Sequence, residues 1–118
     1  GETAFLQIGE IQQGAGIPMN AAWLKIKTTE FNAARLSLLG DRINMTELVR
    51  MGLLNEFVGD DKVVNRCQEI ATNIARFPFG SSRQIKQSLI EQRGIRDPQT
   101  FFRSGGGVAL NTAKLLKG

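Results

Sequence analysis

The sequence predicts a mainly α-helical chain with one short strand near its start. Three observations carry that prediction. Apolar residues in the segment 61–76 recur at spacings of three and four, as on one face of a helix. Capping and stop residues bracket several further segments at helical lengths. The clearest strand signal is "TAFLQI", residues 3–8, which places a strand near residues 4–8.

Taken in order, that strand leads into a glycine-bearing loop over residues 9–17. Pro18 suits the first turn of a short helix running to about Lys27. Thr29 caps a helix to Leu39, and Gly40 is its stop. "NMTE", Asn44 to Glu47, resembles a capping box, and its short helix ends at Gly52. "LLNEFV", residues 53–58, reads as a brief strand or an extended link. Over 61–76, Val64, Cys67, Ile70, Ala71 and Ile74 form one apolar stripe, and Pro78 ends the helix. A helix over 81–93 turns Ile85, Leu89 and Ile90 inward and stops at Gly94. Asp97-Pro98 starts another, which "SGGG" at 104–107 breaks or frays, and residues 108–117 resume a helix. A single strand cannot stand alone, because its backbone groups need a ladder. Either residues 4–8 are not a strand, or the sheet is completed by chain outside this sequence.

Composition narrows the chemistry. A chain of 118 residues, 42% hydrophobic and 22% charged, suits one domain with one modest core. No run approaches the roughly 18–20 apolar residues of a membrane span. Residues 1–17 hold two acids and no base, unlike a secretory leader. A single cysteine allows neither an internal disulfide nor a multi-cysteine zinc site, and it suits a reducing compartment such as the cytoplasm or the mitochondrial matrix. The absence of histidine removes Ser-His-Asp and Cys-His catalysis and most transition-metal sites, so no metal is expected. Carboxylates remain as the acid/base groups. The net charge of +4 suits a phosphate-bearing partner or a solvated helical surface, since the bases are scattered.

Individual residues admit two readings each. Glu10 is a loop carboxylate facing solvent or an acid/base group. Trp23 anchors the short helix or lines a pocket. Cys67 lies on the apolar stripe and reads as a small core residue rather than a nucleophile. Phe77 and Phe79 flank Pro78 and read as cover for a hydrophobic seam.

The order of these signals resembles the C-terminal half of the crotonase family, the enoyl-CoA hydratases and isomerases. The family places an apolar strand, "PEI" and a glycine-bearing loop before a helix; here the stretch reads "AFLQIGEIQQGAGIP". The family then carries a G..I.A.EA...GLV pattern; here residues 33–58 read "AARLSLLGDRINMTELVRMGLLNEFV". A long helix and a further helix with proline and lysine follow, here in "DDKVVNRCQEIATNIARFPFGSSRQIKQSL". The likeness runs over residues 3–90. "GE" stands at residues 9–10 in place of "PE", "MNAA" at 19–22 where many members have glycines, and "SGGGVALNTAKLLKG" departs from the usual family ending.

The resemblance implies the helical C-terminal part of a crotonase-like β/β/α spiral. Residues 1–17 would be the last strand and active-site loop, and 18–118 a helical oligomerisation region. It implies proton transfer beside an acyl-CoA thioester carbonyl through a stabilised enolate, with coenzyme A as part of the substrate and no covalently bound cofactor. Glu10 would be catalytic, its carboxyl set among Phe5, Leu6, Ile8 and Ile11 so that apolar surroundings raise its pKa. Gly14 and Trp23 would meet substrate, and Lys114 and Lys117 would meet CoA phosphates or solvent. The oxyanion donors and any second glutamate would lie upstream, so these residues alone would be a partial, inactive chain. The partners implied are an acyl-CoA and copies of the same chain, as a trimer or dimer of trimers in which Phe101 and Phe102 pack on a neighbour. Neither nucleic acid nor membrane is implied. The alternative is a free-standing basic helical module that binds nucleic acid or protein.

Overall fold

The computed structural model describes residues 1–106; the helix expected at 108–117, with Lys114 and Lys117, lies outside them. Among the described residues the chain is mainly helical, as expected. The strand is shorter than expected. β1 (Phe5–Leu6) pairs antiparallel with β2 (Ile43–Asn44), Phe5 opposite Asn44 and Leu6 opposite Ile43. Its partner therefore comes from within the sequence. The ladder is short because Asn44 must already cap the next helix: its Oδ1 accepts from the Glu47 backbone N–H at 2.9 Å. Glu47 does not close the reciprocal half of the box, because its carboxylate pairs with Arg50 instead.

The helices are α1 (Pro18–Lys27), α2 (Glu30–Leu39), α3 (Met45–Arg50), α4 (Val63–Ala75), α5 (Ser81–Glu91) and α6 (Pro98–Arg103). The expected loop at 9–17 contains a 3-10 turn, Glu10–Gln13, and a second such turn, Asp60–Lys62, leads into α4. "LLNEFV" is an extended link with no regular element. Thr29 Oγ1 accepts from the Asn32 N–H at 3.3 Å, and Gly40 closes α2 in the left-handed region at φ +62°. α6 starts on the Asp97 cap and stops at Arg103, before Gly105 and Gly106 at φ +72° and +86°.

α1 packs on α2 and α6, and the first 3-10 turn packs on α2. The core gathers Ile8, Leu24, Leu36, Ile43, Met45 and Leu48, with Leu36 only 1% exposed. Ile17, Ala33, Met51, Leu53 and Leu54 close its edges. No polar or charged residue is buried among the described residues. This is a small core, and each fully buried aliphatic side chain contributes roughly 1.5–3 kcal/mol.

The second half differs from expectation. Neither α4 nor α5 contains a buried residue. Ile70 and Ile74 of the stripe, and Ile85, Leu89 and Ile90 beyond it, remain exposed. Cys67, expected in the core, is exposed as well, and Phe77 and Phe79 cover no seam. The stripes are amphipathic as read, but burial needs a second apolar surface, and the described residues do not bring one over them. The Cα radius of gyration, 17.5 Å, reflects this. A compact domain of this length would have about 13–14 Å.

Candidate functional site around Glu10

Glu10 sits in the 3-10 turn that follows β1, and the turn is fixed by backbone chemistry. Gly9 precedes it, and Gly14 ends it in the left-handed region at φ +69°. The Ala15 N–H donates to the Glu10 carbonyl at 3.0 Å. Two amides then lock the turn onto the end of α2. Gln7 Nε2 and Gln12 Nε2 both donate to the Gly40 carbonyl, each at 3.0 Å. Gly40 is required there on two counts. Its φ is positive, and a Cβ would lie 2.8 Å from Ile11 Cγ2 and 3.3 Å from the Ile8 carbonyl oxygen.

The Glu10 carboxylate is half-buried and accepts a hydrogen bond from Asn20 Nδ2 at 3.3 Å. Asn20 stands in the first turn of α1, which Pro18 starts. A groove of about 400 Å³ borders Glu10, lined by Gln7, Gly9, Gln12 and Gln13. This groove is polar, in contrast to the apolar setting expected. Ile8 turns into the core, while Phe5, Leu6 and Ile11 lie exposed, so the apolar neighbours in sequence do not wall the carboxylate. The reason is the turn itself, which presents its glutamines to the groove.

The other residues singled out fall elsewhere. The Gly14 N–H donates to the Ile11 carbonyl at 3.1 Å and is thus used within the turn. Trp23 lies on α1, half-exposed, its ring 4.8 Å from that of Phe102. Phe102 in turn meets Phe101 edge to face at 5.3 Å. The aromatic pair expected to seat on a neighbouring subunit therefore seats first on α1 of its own chain. Among the described residues no group of three or more acidic, cysteine or histidine side chains could hold a metal ion.

Asn20, Gln7 and Gln12 were missed by sequence reasoning. The signal was the density of amides about Glu10, in "QIGEIQQ". Chemically, the arrangement holds one carboxylate at a fixed place, oriented by an amide donor, with solvent access from one side. Comparison with family models, with curated proteins and with solved structures finds no match.

Proposed function

We propose that this chain is the C-terminal part of an acyl-CoA-processing enzyme of the enoyl-CoA hydratase/isomerase type, with Glu10 as its proton carrier. The observation that carries the reading is the fixed position of Glu10. It stands in the turn that follows the strand, held through Gln7 and Gln12 on Gly40 and oriented by Asn20, beside an open groove. The order of motifs over residues 3–90 supplies the substrate class by resemblance.

The step follows from the carboxylate. Its oxygen takes a proton from the carbon next to the thioester carbonyl, and the electron pair left behind moves onto the carbonyl oxygen as an enolate. In an isomerase the resulting carboxylic acid returns the proton to another carbon. In a hydratase the carboxylate instead takes a proton from water as its oxygen bonds to the far carbon of the double bond, whose electron pair moves onto the carbonyl oxygen as an enolate. That enolate then takes a proton at the carbon next to the carbonyl, which restores the carbonyl. Two N–H donors on the enolate oxygen are worth roughly 3–4 kcal/mol each in comparable acyl sites. The resemblance assigns these donors to upstream chain, so residues 1–118 alone are expected to turn over no enoyl-CoA. Oligomerisation through the exposed faces of α4 and α5 belongs to the same proposal.

The test is Glu10→Gln in a protein that carries this segment together with the upstream half. The substitution keeps an oxygen for Asn20 and removes the ionisable group. Turnover of an enoyl-CoA should fall by roughly 10²–10⁴-fold with CoA binding retained. An unaltered rate would remove Glu10 from the mechanism.

A second reading has one observation in its favour. Residues 76–96 hold five bases and one acid, which equals the whole net charge of +4. Although bases are scattered along the whole chain, the local excess over acids in this segment suits a basic helical module on nucleic acid or an acidic protein. Affinity for DNA or RNA that falls steeply with salt would favour it over the enzyme.

A further inference from the structure

We infer that the cleft between the C-terminal ends of α1 and α5 is a binding site for a small aromatic phosphate monoester. The cleft is open to solvent, has a volume of about 590 Å³, within the range of small-molecule sites, and is bordered by three basic residues, Lys25, Lys27 and Arg93, and by no acid. Its remaining wall includes Ile26, Ile95 and Phe101. A ligand that satisfies both features carries a compact anion and a flat apolar body.

The cations need not all answer to their helices. The carbonyl end of a helix carries roughly half a negative charge, so two such ends offset about one of the three cations. Lys25 has a further duty: its ammonium donates to the Gly106 carbonyl and lies 5.8 Å from the centre of the Phe101 ring. Lys27 and Arg93 are different. Neither side chain makes a hydrogen bond or ion pair among the described residues. By contrast, Arg35, Arg50 and Arg66 each hold a carboxylate. Gathering unpaired cations in one cleft costs repulsion that a dianion reverses. Arg93 supplies a planar fork suited to phosphate oxygens, and Lys27 a point charge. Gly94, left-handed at φ +66°, turns the chain just past the end of α5 and also lines the cleft.

The inference does not rest on the acyl-CoA reading. Glu10 meets the first turn of α1 through Asn20, whereas the cleft lies against its last turn.

The probe is phenyl phosphate, followed by calorimetry and by the fluorescence of Trp23, the sole tryptophan. Trp23 lies against Phe102 in a tilted pair, and Phe102 meets Phe101, so a ring seated in the cleft should alter its emission. Phenyl phosphate should bind saturably, and benzyl alcohol and inorganic phosphate each at least about tenfold more weakly. Lys27→Gln with Arg93→Gln should weaken phenyl phosphate by about tenfold or more. Arg76→Gln with Arg83→Gln removes equal charge outside the cleft and should leave binding within about twofold. Circular dichroism checks that both pairs remain helical. Absence of saturable binding, equal binding of benzyl alcohol, or an equal loss in the Arg76/Arg83 pair would each overturn the site.

Discussion

The body around Leu36 and the arm of α4 and α5 both carry apolar side chains on their helices, yet they end in opposite states. In the body, α1, α2, α3 and the first 3-10 turn converge, and six apolar side chains are closed off from water. In the arm, two amphipathic helices carry clear apolar stripes and contain no buried residue. An apolar stripe therefore specifies a helix and the face it will bury, but not the surface that covers it. The hinge between the two arm helices makes the point. Ile74, Phe77, Pro78, Ile85 and Leu89 line an apolar hollow of about 570 Å³.

The largest test of this contrast compares one leucine from each region. Leu36→Ala should cost roughly 2–5 kcal/mol, because it opens a cavity among fixed neighbours. A body with so small a core has little to spare, so the variant should unfold at much lower denaturant than the parent. Leu89→Ala, from the exposed stripe, should change the stability of an isolated chain by no more than about 0.5 kcal/mol. Equal losses in urea melts would mean that the arm is covered in solution after all.

Such cover, if supplied by copies of the chain, is the next effect in size. The acyl-CoA reading expects assembly, most simply a trimer. Exposed stripes of this extent favour association. Ile85→Asp with Leu89→Asp places charge on the face to be buried and should weaken assembly by more than about tenfold. Sedimentation at rising concentration measures it. A parent chain that stays monomeric at high concentration ends the expectation of an oligomer.

Local signals made much of the fold legible. Thr29, Gly40, Asn44, Pro18 and Asp97 each act at the helix end where the sequence placed them. What could not be read was pairing at a distance. Nothing in "TAFLQI" announces that Phe5 and Leu6 meet Asn44 and Ile43, because a two-residue ladder leaves no alternation to detect. Cys67 was misplaced for the opposite reason: its stripe was read correctly, and the covering surface was assumed. For the site, Glu10 stood out as a lone acid among apolar residues, but its amide supports come from Gln7, Gln12 and Asn20 through contacts set by Gly40 and α1. Those contacts depend on how α2 ends against the turn, which no local spacing encodes.

The helix ends offer intermediate effects, both within the body. Gly40→Ala forces a side chain into the left-handed region, at roughly 1–2 kcal/mol, and drives its Cβ against Ile11. It should loosen the Glu10 turn as well as lower the melting temperature, which the amide signals of residues 9–14 would report. Asn44→Ala removes the cap of α3 and should cost about 1 kcal/mol. It leaves the turn in place, so the Glu10 region should keep its signals. If both variants disturb residues 9–14 alike, Gly40 has no special hold on the site.

The smallest effect separates the surface ties, of which the arm root is made, from the buried core by acid. The root of the arm is tied down by carboxylates. Glu56 receives Arg66 Nε and Nη2 at 3.0 Å each, and Asp60 receives the Thr3 N–H at 3.3 Å together with the Thr3 hydroxyl. The Arg66 hydrogen bond holds Glu56 below the usual carboxylate range, and the Thr3 hydroxyl does the same for Asp60. A carboxyl whose pKa is lowered on folding stabilises the fold above its unfolded value, about 4, and loses that contribution as pH falls through the folded value. These groups are solvent-exposed, so the contribution is modest and shrinks with added salt. The core beneath Leu36 contains no buried titratable group among the described residues, although on the surface of the body Arg35 holds Asp41, and Arg50 holds Glu47, below the usual carboxylate range in the same way. Acidification from pH 5 to below about 3 should therefore shift first the amide signals beside these paired carboxylates, at Thr3, residues 56–66, Asp41 and Glu47. The methyl signals of Leu36, Ile43 and Leu48 should stay in place over the same range. Glu56→Gln should remove part of the acid response at Arg66 and leave that of Asp60. Core methyls that move at the same pH as the arm root, or an acid response that half-molar salt leaves unchanged, would show that the two regions are held by the same forces.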